Sequence, residues 1–213
     1  MDIIRVVITD DHVIFRKGLT TILNEINDVK VTGEASNGQD LLNLMKKQEV
    51  DVVLMDIRMP VMDGIETTRK VLEKYPQTKI IALTMHEEIG YFNQMIDAGA
   101  HGYLLKKTNR DELENAIQQV IRGNHFFAPE FIAYADKHLP GQSSKADINL
   151  TQREVQVLEM ICKGNSNPEI AKKLNLSERT IDGYRASLLE KTGAKNAPNL
   201  VMYAIKHGLI DMK

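Results

Sequence analysis

The chain has 213 residues, 43% of them apolar and 26% charged, with 27 basic against 29 acidic side chains. That composition excludes wholesale disorder, and the length suits one large domain or two small ones. A single cysteine, Cys162, excludes an intrachain disulfide and a cysteine-rich zinc site.

No run approaches the ~18–20 apolar residues of a membrane span. Met1 to Arg5 leads into a short apolar segment, without the basic start and longer apolar region of a signal peptide. A cytoplasmic protein is expected. Charge is uneven: residues 1–123 carry 19 acids against 15 bases, 124–150 carry 3 against 2, and 151–213 carry 7 against 10. An acidic front and a mildly basic back hint at different partners.

From residue 3 to about 122, short apolar runs alternate with amphipathic stretches of helix length. The runs are Ile3–Thr9, Val29–Glu34, Asp51–Met55, Lys79–Thr84 and Gly102–Leu105, rich in Val, Ile and Leu as strands buried on both faces should be. Five β–α units predict a doubly wound α/β domain with a five-stranded parallel sheet over residues 1–123. Residues 124–149 read as a linker with a possible short helix from Pro129, followed by the polar stretch Leu139–Lys145. From 150 to 213 everything reads as helix. Thr151-x-x-Glu154 forms a capping box, Gly164 ends that helix, and Asn167-Pro168 opens the second as cap and first turn. Ser177 caps a third, and Asn196-Ala197-Pro198 opens a fourth.

Ligands of an open parallel sheet sit beyond the carboxyl ends of its strands. Those ends carry Asp10 and Asp11, Asp56, Thr84 and Lys106. Any one Asp after a strand is commonly just a helix cap, and Thr84 or Lys106 alone is unremarkable surface chemistry. Together, three converging carboxylates make sense around a hard divalent cation such as Mg²⁺. A hydroxyl and an ammonium opposite them suit a phosphoryl group.

Asp10-Asp11, the stretch Met55-Asp56-Ile57-Arg58-Met59-Pro60-Val61-Met62-Asp63-Gly64, Leu83-Thr84 and Gly102-Tyr103-Leu104-Leu105-Lys106 closely resemble the receiver domain of two-component response regulators, with its flavodoxin-like sheet. The resemblance implies that Asp56 accepts a phosphoryl group from a sensor histidine kinase. It implies that Asp10, Asp11 and Asp56, with the backbone carbonyl of Arg58, hold Mg²⁺. Lys106 would pair with the phosphate, Thr84 would swing toward it, and Tyr103 would rotate inward. Lys106 is followed by Lys107, where the family often has Pro or Asp; strand alternation favours Lys106. Aspartate-nucleophile phosphohydrolases share the phosphorylated strand-end Asp but place an acid two residues later. Here that residue is Arg58, which cannot donate a proton at neutral pH. A turnover enzyme is therefore not expected, and Arg58 and His86 are candidates for setting the phosphoryl lifetime.

In the tail, residues 167–186 read as helix-turn-helix, whose second helix enters the DNA major groove. Ile181, Tyr184 and Leu188 should face the core. Arg179, Thr180, Asp182, Gly183, Ala186 and Glu190 then face outward, flanked by Arg185 and Lys191. From charge alone a plain helical bundle is the default. The motifs Leu150-Thr151-Gln152-Arg153-Glu154, Gly164 through Ala171, Ser177-Glu178-Arg179-Thr180-Ile181 and Lys191 resemble the LuxR-type DNA-binding domain. A receiver joined to it defines the NarL/FixJ class of response regulators. That resemblance implies binding to double-stranded promoter DNA and homodimerisation on phosphorylation. The family's frequent Lys-Val-His-Arg is Asp182-Gly183-Tyr184-Arg185 here, so base preference should differ, and Asp182 is suited to accept from a cytosine amino group. A regulator that binds DNA without regard to phosphate is the alternative, disfavoured by the intact acid set and the Thr–Lys pair. Cys162 is expected to be a small core residue.

Overall fold

β-branched and Leu residues crowd the central apolar runs, and these become strands with almost no exposed side chains. In the computed structural model, which describes residues 3–85, 90–128, 131, 150–207 and 209, the strands are β1 (Ile4–Thr9), β2 (Val29–Ala35), β3 (Val52–Asp56), β4 (Lys79–Thr84) and β5 (Gly102–Leu105). All five positions of β3 are buried, whereas β2 is half-buried because it lies at a sheet edge. Helices α1 (Val13–Leu23), α2 (Gly38–Met45), α3 (Gly64–Lys74), α4 (Phe92–Ala98) and α5 (Arg110–Ile121) alternate with them.

The sheet has six strands, one more than predicted. Its order is β2-β1-β3-β4-β5-β6, every pairing parallel, with β6 formed by Phe126–Phe127. Two residues carry no readable period; β6 exists because Phe126 N donates to His101 O at 3.0 Å and Ala128 N to Tyr103 O at 3.1 Å. The sheet therefore runs past residue 123. Strand order reverses direction at β1, so the crevice beyond β1 and β3 is where a ligand belongs.

The chain divides into this α/β unit and a helical unit. The latter holds α6 (Gln152–Cys162), α7 (Asn167–Leu174), α8 (Glu178–Thr192) and α9 (Ala197–Lys206). The Thr151–Glu154 capping box forms in both directions. The cap of α7 is Ser166, one residue earlier than expected, because Glu169 accepts from Ser166 N at 2.7 Å and from its Oγ at 2.8 Å. Asn175 takes the left-handed conformation (φ 54°) at the corner between α7 and α8, which Asn tolerates better than most residues. Val157, Leu158, Ile170, Ile181, Leu188 and Leu200 close the core. Cys162 lies in it as expected, and burial pushes its thiol up to about 12, leaving it protonated. The short helix expected from Pro129 falls, Phe131 apart, outside the described residues.

Candidate functional site

Three strand ends bring the acid set together. Asp10 leaves β1 with its amide bonded to Ala35 O at 3.1 Å, and Asp56 closes β3; they are 1% and 2% exposed. Lys106 follows β5, its amide bonded to Thr84 O at 2.7 Å. Its ammonium lies 2.8 Å from Asp10 Oδ2 and 2.9 Å from Asp56 Oδ2, and 5.0 Å from the centre of the Phe15 ring. Lys107 is exposed, in keeping with the preference for Lys106.

One ammonium between two buried carboxylates leaves excess negative charge. Burial, reinforced by the neighbouring Asp10 charge and opposed by Lys106, pushes the Asp56 carboxyl up to about 6. Burial alone would lower Lys106, but the bonds to Asp10 and Asp56 outweigh it and hold the ammonium above its ordinary value. Asp56 Oδ1 accepts from Ile57 N at 2.8 Å, which orients the carboxylate.

Two contributors were not singled out in the sequence. His12 Nδ1 lies 2.9 Å from Asp11 Oδ1 and 3.2 Å from Asp10 Oδ1, so one ligand atom from each of Asp10, Asp11, His12 and Asp56 falls within 4.8 Å of the others. Arg16, largely buried on α1, donates from Nη1 to Asp10 O at 2.6 Å and from Nε to Glu34 at 3.1 Å. The Asp10–Asp11–His12 run was readable as a donor cluster; Arg16 looks in sequence like any helix-surface arginine. The donor set is mainly carboxylate oxygen with charge to neutralise, which is compatible with a bound hard cation.

Arg58 is exposed beside the site, while His86 lies outside the described residues. Thr84 is fully buried, and its Oγ1 donates to Met85 O at 3.0 Å. Tyr103 is also fully buried and already points inward, edge-on to Phe92 with ring centres 5.0 Å apart; Phe92 in turn meets Phe127 of β6 at 5.9 Å. The strained point is Val61, a β-branched residue with φ 70° in the loop after Asp56.

In the helical unit, Arg179, Thr180, Asp182, Gly183 and Ala186 form an exposed face on α8, as expected. The two flanking cations are less free. Arg185 is half-buried, its Nη2 donating to Asn165 O at 3.4 Å, and its Nε lacks a hydrogen-bond partner among the described residues. Lys191 lies 2.8 Å from Glu154, which also accepts from Ser187 Oγ at 2.7 Å and Thr151 N at 2.7 Å. Lys191 first, then Ser187, holds the Glu154 carboxyl down at about 2.

A buried strand-end aspartate facing a lysine, carried in one chain with an exposed helix-turn-helix, is the arrangement of a receiver joined to a DNA-binding domain. Known proteins agree. Residues 6–118 match the response regulator receiver domain family, and residues 148–204 match the luxR family of bacterial regulatory proteins. The response regulator GacA of Pseudomonas aeruginosa is 34% identical over 210 residues, covering 98% of each chain. The response regulator UvrY of Escherichia coli is 37% identical over 208 residues, 97% of this chain and 95% of that one. Among solved structures, the response regulator ChrA of a heme-sensing two-component system is 33% identical over 99% of this chain and 100% of its own, with TM-score 0.56. RcsB, solved as two dimers bound to two parallel DNAs, is 28% identical over 96% of this chain and 99% of its own, with TM-score 0.61. This chain belongs to the response regulators that join a receiver to a LuxR-type DNA-binding domain, a family of DNA-binding transcription regulators. Among the described residues no helix is long and apolar enough to cross a membrane.

Proposed function

We propose that Asp56 accepts a phosphoryl group from a sensor histidine kinase in the cytoplasm, and that its phosphorylation promotes homodimerisation and promoter binding. The observation that carries this reading is the single ammonium of Lys106 bridging Asp10 and Asp56 at 2.8 and 2.9 Å in the switch-point crevice. A carboxylate oxygen of Asp56 attacks the phosphorus of a phosphohistidine. The new P–O bond forms as the P–N bond breaks, and the imidazole leaves with the electron pair and takes a proton. Asp10, Asp11 and Asp56, with the carbonyl of Arg58, are the residues that would hold Mg²⁺, which supplies positive charge against the phosphoryl oxygens.

With phosphate on Asp56, Lys106 gives up its bridge and pairs with a phosphoryl oxygen. Thr84 exchanges the Met85 carbonyl for the same group, and Tyr103 keeps its inward seat against Phe92. The phosphate thus biases a two-state equilibrium through contacts made in only one state. Arg58 borders the new group and sets part of its lifetime. On α8, Arg179, Thr180, Asp182, Gly183 and Ala186 face the major groove, while Arg185 and Lys191 reach DNA by exchanging Asn165 and Glu154 for phosphates.

The test combines intact mass after incubation with Mg²⁺ and acetyl phosphate with light scattering in Mg²⁺ and beryllofluoride, using Asp56→Asn as control. One phosphoryl adduct and a monomer-to-dimer shift, both absent from the control, are expected. An adduct that persists in Asp56→Asn would overturn the assignment.

A further inference from the structure

We propose that Asn167 and Asp182 act as one base-reading unit, selecting adenine or cytosine at one position of the recognised strand, where the base offers its amino donor beside an acceptor. The proposal rests on reading α8 as the recognition helix and names what that helix selects.

Asn167 is the first residue of α7, yet its Nδ2 donates to Asp182 Oδ1 on α8 at 2.5 Å. Fifteen positions separate the two in the chain, so packing of α7 against α8 brings them together. Asp182 is exposed on the outward face and Asn167 is half-buried beside it. A carboxylate there is repelled by every DNA phosphate. The groups on duplex DNA that favour it are the exocyclic amino groups, adenine N6 and cytosine N4, which lie in the major groove.

The bond to Asn167 fixes which atoms remain. Asp182 Oδ1 is taken and Oδ2 remains as an acceptor; among the described residues neither side chain has another hydrogen bond. An amide nitrogen has two hydrogens, so Asn167 Nδ2 retains one donor next to that acceptor. An acceptor beside a donor complements adenine N6–H and N7, or cytosine N4–H beside the O6 of its paired guanine. Together the two side chains match the donor–acceptor pattern that one asparagine presents to adenine, with a negative charge that rejects a keto oxygen at the amino position. Gly183 beside them has no atom within 4 Å of where a Cβ would lie, so the helix backbone can come close to the base edges.

The full chain, activated with Mg²⁺ and beryllofluoride, is used to select its motif from a random duplex pool. Wild type, Asn167→Ala, Asp182→Ala and Asp182→Asn are then compared on duplexes varied one position at a time. At one position per half-site, wild type should prefer adenine or cytosine about ten-fold over bases without the amino group. Replacing that adenine by purine, or that cytosine by 2-pyrimidinone, should cost wild type the same factor. Asn167→Ala and Asp182→Ala should flatten that position alone, with affinity for unrelated duplex unchanged or higher. Asp182→Asn, which keeps the acceptor and the shape, should retain part of the preference. Wild-type preference at every position in both alanine variants, or an equal loss on all sequences, overturns the proposal. If activated wild type retains no duplex at all, the DNA-binding reading fails first and this one with it.

Discussion

Neutralising Asp56 without changing its shape should make the protein more stable when no divalent cation is present. Asp56 and Asp10 are almost fully buried, share one ammonium, and have Asp11 nearby. The Asp56 carboxyl is raised from 3.8 to about 6. At ~1.4 kcal/mol per pH unit, holding it ionised at about pH 8 costs up to ~3 kcal/mol. Local relaxation reduces this, so Asp56→Asn should gain about 1–2 kcal/mol, several degrees in the melting temperature of the receiver transition. The folded state holds a proton that the unfolded chain has released between about pH 6 and pH 4. Wild type therefore gains stability as pH falls through that window and the variant does not, so the advantage shrinks toward zero near pH 4. Saturating Mg²⁺ should reverse the order, because the cation binds the folded wild type and the variant has lost a ligand. Calorimetry across this pH range, with and without Mg²⁺, measures all three effects. An Asp56→Asn protein that melts at or below wild type near pH 8 without cation would refute the reasoning.

Val61→Gly relieves a left-handed β-branched residue that is 84% exposed, and after the entropy of the added glycine should stabilise by roughly 0.5–1 kcal/mol, read as a higher urea midpoint with an unchanged slope. Gly64→Ala would place a Cβ 2.1 Å from the Asp56 carbonyl oxygen, where backbone cannot yield; about 3 kcal/mol of destabilisation and slower phosphoryl uptake are expected, by urea unfolding and intact mass. Lys191→Met leaves the buried Glu154 carboxylate with neutral donors only. Because Lys191 is 36% exposed, the cost should be about 1–2 kcal/mol rather than that of a fully buried pair. Glu154 is held at about 2, so this stabilisation is present above about pH 4.5 and is lost as pH falls toward 2; thermal melts of the helical unit should show the pH dependence in wild type and a weaker one in the variant.

Local pattern was enough for the five main strands, the Thr151–Glu154 capping box and the outward face of α8. Each depends on residues within a few positions of one another, and side-chain period or capping chemistry is written at that range. The strand-end acids and Lys106 were legible for a related reason: a parallel sheet sends all its carboxyl ends to one edge, so naming the strands nearly names the site. Strand β6 was not legible, since two residues have no period and form a strand only because β5 offers an open edge. Nor were the Arg16 bond to the Asp10 carbonyl, the capture of Lys191 by Glu154, the burial of Arg185 or the Asn167–Asp182 pair. Sequence by itself determined which elements form and which residue types meet at the crevice. Tertiary structure alone decided which charges are spent on one another and which remain for phosphate or DNA, because hydrogen bonding and desolvation depend on distances that packing sets between residues far apart in the chain.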